Sequence, residues 1–307
     1  PLISIALATY NGEQYLREQL DSIYNQKFKN FEVIVTDDSS TDSTIAILDE
    51  YKQRFGLKYF INNKRLGFVN NFEKAISQCQ GEYIALCDQD DIWLPDKLEV
   101  LLKNINNHSL CCSDATLIDS NGNIIAQSVY SHSGLNFYNQ EQFKYLIHDN
   151  YVMGCTMLFR KELLKYILPL PVCTTYHDWW IAIVASLKDG ICFVDKPLIK
   201  YRFHGENQSS TAMSVSNIIV KFREVILKRK SGYYDMMVEW LSVVKLHPLV
   251  RTEHLKVINE RSNFYKSMNT GFIHFNAFII ALKNRRYLFP RRSRIMRLVY
   301  AFASLII

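Results

Sequence analysis

Within its first 110 residues the chain alternates four times between a short β-rich apolar run and an amphipathic helical stretch. The runs are Leu2–Ala8, Phe31–Thr36, Leu57–Ile61 and Tyr83–Cys87, and polar turn residues follow them. Leu16, Leu20 and Ile23 recur at helical spacing and predict a helix over Gln14–Asn25. Ile45, Leu48 and Tyr51 predict a second over Ser43–Arg54, with Ser40 or Thr41 as its N-cap. Phe72, Ala75 and Ile76 mark a third. Such alternation leaves few architectures: an α/β fold with a mostly parallel sheet, helices on both faces and right-handed crossovers. The polar strand ends then line one sheet edge, where open α/β sheets bind ligands.

Three of those ends carry related chemistry: Thr9–Glu13, Asp37–Ser40 and Asp88–Asp91. The last reads Asp88-Gln89-Asp90-Asp91, and three carboxylates at one strand end repel one another unless a cation is held there. Their oxygens suit a hard divalent ion, Mg²⁺ or Mn²⁺, of the kind that bridges to a substrate phosphate. An acidic side chain at the second end can accept from a base N–H or a ribose hydroxyl. Taken singly, each motif is an ordinary capped or solvated loop; on a shared edge they suggest a nucleotide and a metal. Pro95 fits the first turn of the next helix. No G-x-G-x-x-G and no G-x-x-x-x-G-K-[ST] occurs, which argues against dinucleotide-binding dehydrogenases and P-loop enzymes.

With 307 residues and 48% of them apolar, the chain is globular and long enough for one large domain or two modest ones. The net charge of +6 conceals a division. From residue 212 onward there are 17 Lys+Arg against 5 Asp+Glu, whereas residues 1–211 hold 19 against 25. An acidic first part and a basic second part suggest separate tasks. The seven cysteines are an odd number without C-x-x-C spacing, so reduced, buried thiols and a cytosolic setting are expected. Leu2–Ala8 is too short and lacks the basic flank of a signal peptide, and no apolar run is long enough for a membrane span.

The segments TYNGEQYL, DDSSTDST, LGFVNNFEKAI, GEYIALCDQDDIW and HDWW, in this order, resemble the inverting GT-A glycosyltransferases of family 2. The similarity covers roughly residues 2–210 and points to the rhamnosyltransferase-like members of bacterial surface polysaccharide synthesis, of O-antigen or capsule. The resemblance implies a GT-A fold and a nucleotide-diphosphate sugar donor. Asp38 would contact the nucleobase, while Ala8, Tyr10, Asn11, Glu13, Gly67, Asn71 and Gln89 would line the same pocket. Asp88 and Asp90 would hold the ribose and the metal-bound diphosphate, with Asp90 the direct ligand of Mn²⁺ or Mg²⁺.

Residues 110–211 should then build the acceptor half. Leu110–Ser113 with Ala115–Ile118 suggests a strand, Asn121-Gly122 a hairpin turn and Ile124–Val129 the returning strand. Ser131–Tyr138 reads as a polar, aromatic loop over the pocket. Gly154 and Cys155 lie in the run Tyr151–Phe159, where the missing side chain either admits an acceptor to the backbone or serves tight strand packing. Lys161–Ile167 is a short helix stopped by Pro169 and Pro171, and His177-Asp178-Trp179-Trp180 opens a helix that runs to Lys188. By resemblance Asp178 matches the general base. Trp179 and Trp180 suit either stacking on a sugar or anchoring the core. Phe193–Val194 and Ile199–Phe203 read as closing strands; His204, after them, either approaches the metal and diphosphate or is structural.

Beyond Thr211 the periodicity is helical: Val220–Lys230, Tyr233–Leu246, Leu255–Asn269 and Phe272–Asn284. Arg285, Arg286, Arg291, Arg292, Arg294 and Arg297 flank or enter the apolar stretch Ile295–Ile307, which reads as a basic amphipathic helix lying on a membrane, or as a docking helix. Nucleic acid is a poorer partner, because no single-strand stacking groove accompanies the charge. The expectation is a catalytic domain over 1–211 (nucleotide-sugar half 1–110, acceptor half 111–211) and a membrane-associating helical extension over 212–307. The enzyme would work peripherally on the cytoplasmic face of a bacterial membrane, passing one sugar from dTDP-rhamnose, or from a UDP-hexose or UDP-N-acetylhexosamine, to a lipid-linked saccharide. A processive synthase should show Q-x-x-R-W and framing membrane helices, and a nucleotidyltransferase a Gly- and Arg-rich loop after the first strand; neither is present. A non-catalytic nucleotide-sugar binder is the remaining alternative.

Overall fold

In the computed structural model, residues 1–204, 232–268 and 275–288 are described. They fall into two compact units. The first comprises Pro1–Asn139, Val152–Leu170 and the chain from Thr174. It opens as the alternation requires: β1 (Ile3–Thr9), α1 (Leu16–Tyr24), β2 (Phe31–Asp37), α2 (Thr44–Phe55), β3 (Lys58–Ile61), α3 (Phe68–Ser77) and β4 (Tyr83–Cys87). The cap of α2 differs from expectation. Ser43 precedes the helix and Asp42 accepts the Thr44 N–H at 3.0 Å, because Ser40 and Thr41 are held by Asp37 and Asn11 instead. Gly56 ends α2 at a φ of 74°, a left-handed conformation that glycine adopts without strain.

After β4 come β5 (Ile92–Trp93), α4 (Lys97–Asn104), β6 (Leu110–Ile118), β7 (Ile124–Ala126) and the short α5 (Val129–Ser133). Pro95 lies just outside α4, ahead of its capping residue Asp96. The hairpin expected at Asn121-Gly122 joins β6 and β7, which pair antiparallel. Part of the expected loop over 131–138 is α5, and Phe137 stacks on Phe193 with ring centroids 4.8 Å apart. Gly154–Thr156 form a single 3₁₀ turn before β8 (Leu158–Arg160), so the apolar run there is not one strand. Thr156 Oγ1 donates to the Met153 carbonyl at 2.8 Å and closes that turn locally. A further 3₁₀ turn and α7 (Leu164–Ile167) lead to α8 (His177–Lys188) and β9 (Ile191–Arg202). The two closing strands expected from sequence are one. Its register slips between Ser113↔Val194 and Asp114↔Pro197, and Asp195 and Lys196 face solvent at the slip.

The sheet order is β3-β2-β1-β4-β8-β6-β9-β5, with β7 on β6. β3, β2, β1 and β4 are parallel, as are β6 and β9, whereas β8 runs antiparallel to both its neighbours. β8 therefore delivers the turn that precedes it to the same edge as the polar end of β4. Ile3, Ile5 and Leu7 of β1 pack with Leu16, Leu20 and Ile23 of α1 and with Leu48 and Tyr51 of α2 in the main core. Burying each such aliphatic side chain stabilises the fold by roughly 1.5–3 kcal/mol, which makes β1 a firm platform for the turn after it.

The second unit includes Gln140–Tyr151 and Pro171–Cys173, earlier in sequence than the charge division suggests, together with the later helices. Its described helices are α6 (Gln142–Leu146), α9 (Tyr233–Leu246), α10 (Thr252–Met268), α11 (Phe275–Lys283) and α12 (Arg285–Leu288). Arg261 on α10 is buried and donates to the His148 carbonyl at 3.1 Å, which fastens the 140–151 segment to the helices. The helix expected over Val220–Lys230 and the stretch Ile295–Ile307 lie outside the described residues. No helix among the described residues is long and apolar enough to cross a membrane.

Candidate active site

Register brings the polar ends together: Thr9 lies opposite Asp37, and Leu7 opposite Cys87. Thr9 Oγ1 donates to Asp37 at 2.8 Å, and Ser40 caps the same carboxylate through its amide and hydroxyl. Asn11 Oδ1 accepts the Thr41 amide at 2.8 Å and Glu13 accepts the Ser43 amide at 2.9 Å, so these exposed side chains splice the first turn to the second. Gln89 does the same between the first and third ends. It accepts the Tyr10 amide at 2.9 Å and donates to the Tyr10 carbonyl at 3.1 Å. Ala8 and Tyr10 are half-buried at the head of this assembly.

Asp38 is buried, and its carboxylate accepts from the Leu66 amide at 2.6 Å, the Gly67 amide at 2.8 Å and Asn62 at 3.0 Å. A carboxylate has about four acceptor positions, so one is left for a ligand donor. Gly67, at a φ of 83°, begins α3 and turns its amide onto Asp38. Asn71 is buried with both ends of its amide engaged, donating to the Thr9 and Thr36 carbonyls and accepting from Asn62. It ties α3 to the ends of β1 and β2. Sequence reasoning did not single out Arg65, whose guanidinium lies 4.0 Å from the Tyr10 ring centroid. At that distance the guanidinium makes a cation–π pair with the ring.

The acidic loop is crowded. Burial, with Asp90 and Asp178 nearby, pushes the Asp88 carboxyl up to about 7. Asp91 is fully buried and driven well above the ordinary carboxylate range by burial, Asp90 and Asp88. Its Oδ1 accepts the Arg202 amide at 3.0 Å, while Oδ2 is buried without a partner. Ligand atoms of Asp88, Asp91 and Cys155 lie within 4.8 Å of one another, and Asp90 meets His204 Nε2 at 2.8 Å. An orphaned buried carboxylate oxygen among like charges fits a divalent cation. Of the ligands expected from sequence, Asp90 and His204 come together, whereas Asp88 groups with Asp91 and Cys155.

Two buried cations were not anticipated. Lys97 is fully buried on α4, its ammonium donating to the Cys155 carbonyl at 2.6 Å and lying 3.4 Å from the Trp93 ring centroid. Burial pulls it down to about 8. A signal existed, since Lys97 lies four residues before Leu101, on the buried face of its helix. Arg202 at the end of β9 donates to the Asp90 carbonyl at 2.8 Å, reaches the Asp119 and Ser120 carbonyls, pairs with Glu18 and covers the Tyr15 ring. It fixes the backbone of the acidic loop.

Asp178 sits in the first turn of α8, and its two oxygens accept the Gly154 amide at 3.1 Å and the Trp179 amide at 2.7 Å. A Cβ on Gly154 would lie 3.1 Å from Asp178 Cβ, so glycine is what lets the turn and the helix meet. Cys155 is buried and its thiol is held protonated by burial and the nearby carboxylates, which leaves no surface for an acceptor. Trp179 and Trp180 are 8% and 3% exposed, and Trp180 Nε1 donates to the Ile167 carbonyl at 3.1 Å. Both indoles are spent on packing α8, so in this conformation neither offers a stacking face. His177 is buried against Phe72, with ring centroids 4.0 Å apart.

The architecture has solved counterparts. Staphylococcus aureus TarS 1–349 in complex with UDP-GlcNAc superposes with a TM-score of 0.61 at 21% identity, covering 99% of this chain and 88% of that one. The mannosyltransferase PcManGT from Pyrobaculum calidifontis, in complex with GDP-Man and Mn²⁺, gives 0.55 at 16%, covering 99% and 85%. These likenesses establish the GT-A fold. Among curated proteins, the uncharacterized glycosyltransferase MJ1057 of Methanocaldococcus jannaschii is 34% identical over 66% of this chain and 71% of its own length. The dTDP-rhamnosyl transferase RfbG of Shigella flexneri is 31% identical over 74% of this chain and 80% of its own. The family model described as glycosyl transferase family 2 matches residues 4–168, more than half of the sequence, and the chain is a glycosyltransferase of that family.

Proposed function

We propose that the chain is an inverting, metal-dependent transferase that moves a single sugar from a nucleotide diphosphate to an acceptor hydroxyl, with Asp178 as general base. The observation carrying this is the fixed carboxylate of Asp178, held by two backbone amides and near enough to Asp88 to raise its pKa. Asp38, Tyr10 and the first turn bind the nucleoside. Asp88 and Asp90, with His204 and Asp91 at hand, would hold a divalent ion. When bound, that ion would neutralise the departing diphosphate. Asp178 takes the acceptor proton as the hydroxyl attacks C1 from the face opposite the leaving group. A β-linked donor therefore yields an α-linkage. The relation to RfbG supports dTDP-rhamnose as donor. A lipid-linked saccharide is the proposed acceptor, reached from the inner face of the cell membrane through the basic C-terminal segment. Asp178→Asn keeps the shape and removes the base, so kcat should fall roughly 10²–10⁴-fold with donor affinity unchanged. Near-normal turnover, or retention of the anomeric configuration by NMR, would refute the mechanism.

A further inference from the structure

The mechanism leaves Lys97 unused, and its placement is unusual. Lysine is almost never fully buried without a reason, yet here the whole side chain is enclosed between the acidic loop and the 3₁₀ turn Gly154–Thr156. The ammonium donates to the Cys155 carbonyl at 2.6 Å, rests on the Trp93 ring and has Asp88 and Asp91 close by. On the other side of the same turn the Gly154 amide points at Asp178 Oδ2 at 3.1 Å. One short turn is thus gripped at two points, by a cation on the carbonyl of its second residue and by a carboxylate on the amide of its first.

We propose that Lys97 is a positioning residue for transfer: by fixing the Cys155 carbonyl it holds the Gly154 amide against Asp178 and so aims the base. The inference rests on Asp178 being the base. The hydrogen bonds of a 3₁₀ turn are poorly aligned and resist rotation only weakly. The Thr156 and Met157 amides bond to the Met153 and Gly154 carbonyls, which leaves the Cys155 carbonyl to an outside donor, and Lys97 is that donor. A neutral side chain of the same length would leave this carbonyl buried without its strong donor, and the peptide would turn to find another. The N–H of that peptide, on Thr156, bonds to the Met153 carbonyl at 3.1 Å. The Met153 carbonyl and the Gly154 amide share one peptide, so the rotation is passed to the Gly154 amide through this bond. The Trp179 amide would still hold Oδ1, so the change at Asp178 falls on the Oδ2 contact with the Gly154 amide. Small displacements of a reacting group are costly: about 1 Å can lower a rate roughly 100-fold.

Met153-Gly154 is the one Met-Gly step in the sequence, so ¹³C-carbonyl Met with ¹⁵N-Gly labelling isolates the Gly154 amide in the full chain. Lys97→Met should move this resonance in the direction that Asp178→Asn moves it, with the protein folded. With dTDP-rhamnose as probe, Mn²⁺ present and water as acceptor, the C1–O bond to the diphosphate breaks, a C1–OH bond forms and Asp178 receives the proton. Release of dTDP by Lys97→Met should then fall roughly 10–100-fold in kcat with KM changed less than about twofold. An unmoved amide in a folded variant, or a moved amide with unchanged kcat, would overturn the proposal. If Lys97→Met does not fold, Lys97→Gln repeats the test; failure of both to fold would make Lys97 a fold element and also overturn it. Undiminished turnover by Asp178→Asn would sink the base assignment separately, leaving the amide result to stand on its own.

Discussion

The splice between the first and third strand ends is open to a quantitative test at Gly12. A Cβ there would lie 2.4 Å from Gln89 Oε1 and 2.8 Å from its Cδ, well inside contact distance. In Gly12→Ala the glutamine must swing out, since its amide is the far end of a flexible side chain. It then gives up two hydrogen bonds, from the Tyr10 amide at 2.9 Å and to the Tyr10 carbonyl at 3.1 Å. At about 0.5–1.5 kcal/mol each, the variant should lose about 1–3 kcal/mol of stability. The Gly12 amide keeps its bond to Thr44 Oγ1, so no other loss is expected. Denaturant titration of four proteins closes a cycle: the native chain, Gly12→Ala, Gln89→Ala and the double variant. The three atoms nearest the added methyl all belong to Gln89, so the double variant should match Gln89→Ala and the coupling should be about 1–3 kcal/mol. Additive losses would show that the methyl strains something other than Gln89.

Asp90→Ala should abolish Mn²⁺-dependent donor binding while leaving the melting temperature of the metal-free chain nearly unchanged; full donor affinity in Mn²⁺ would remove Asp90 from the metal site. In the metal-free chain Asp88 titrates near 7, above its ordinary value of 3.8, so the folded state holds a proton that the unfolded state has lost between those pH values. Stability should therefore fall as pH rises through that window, and Mn²⁺ affinity should rise; an affinity flat from about pH 6 to 8 would contradict the raised pKa. Residues 285–307 should carry the chain onto anionic vesicles and be partly released by salt, judged by sedimentation. Equal binding to neutral vesicles would refute the electrostatic part.

The alternation of strands and helices was legible because each apolar run is bounded by turn residues and each helix repeats apolar residues at its own period. Strand ends were legible for the same reason, so the polar edge followed from connectivity. What escaped was what depends on distant partners. β8 is three residues long, and its antiparallel insertion between β4 and β6 has no local mark. The slip in β9 follows from Pro197, which has no N–H to give the ladder. Many of the residues assigned to the pocket by motif proved to hold the chain to itself. Asn11, Glu13, Asn71 and Gln89 bond to backbone across the sheet edge, a role that spacing alone does not separate from ligand contact. Lys97 and Arg202 were not singled out from the sequence, and their burial against distant backbone carbonyls shows what they hold.

Arg202 also bears on how the molecule is made. Its partners lie far back in the chain: Asp90 is 112 positions away and Glu18 184. During synthesis from the N-terminus, the nucleotide half can pair its four parallel strands as soon as β4 has appeared. The acidic loop must then wait, the Asp90 carbonyl without its guanidinium donor and Asp91 without the Arg202 amide, for more than a hundred further residues. Contacts of such long range are slow to form and leave partly built states exposed. The last strand of the sheet is thus a latch, and the ribosome has to finish nearly the whole domain before the acidic loop can be locked into shape.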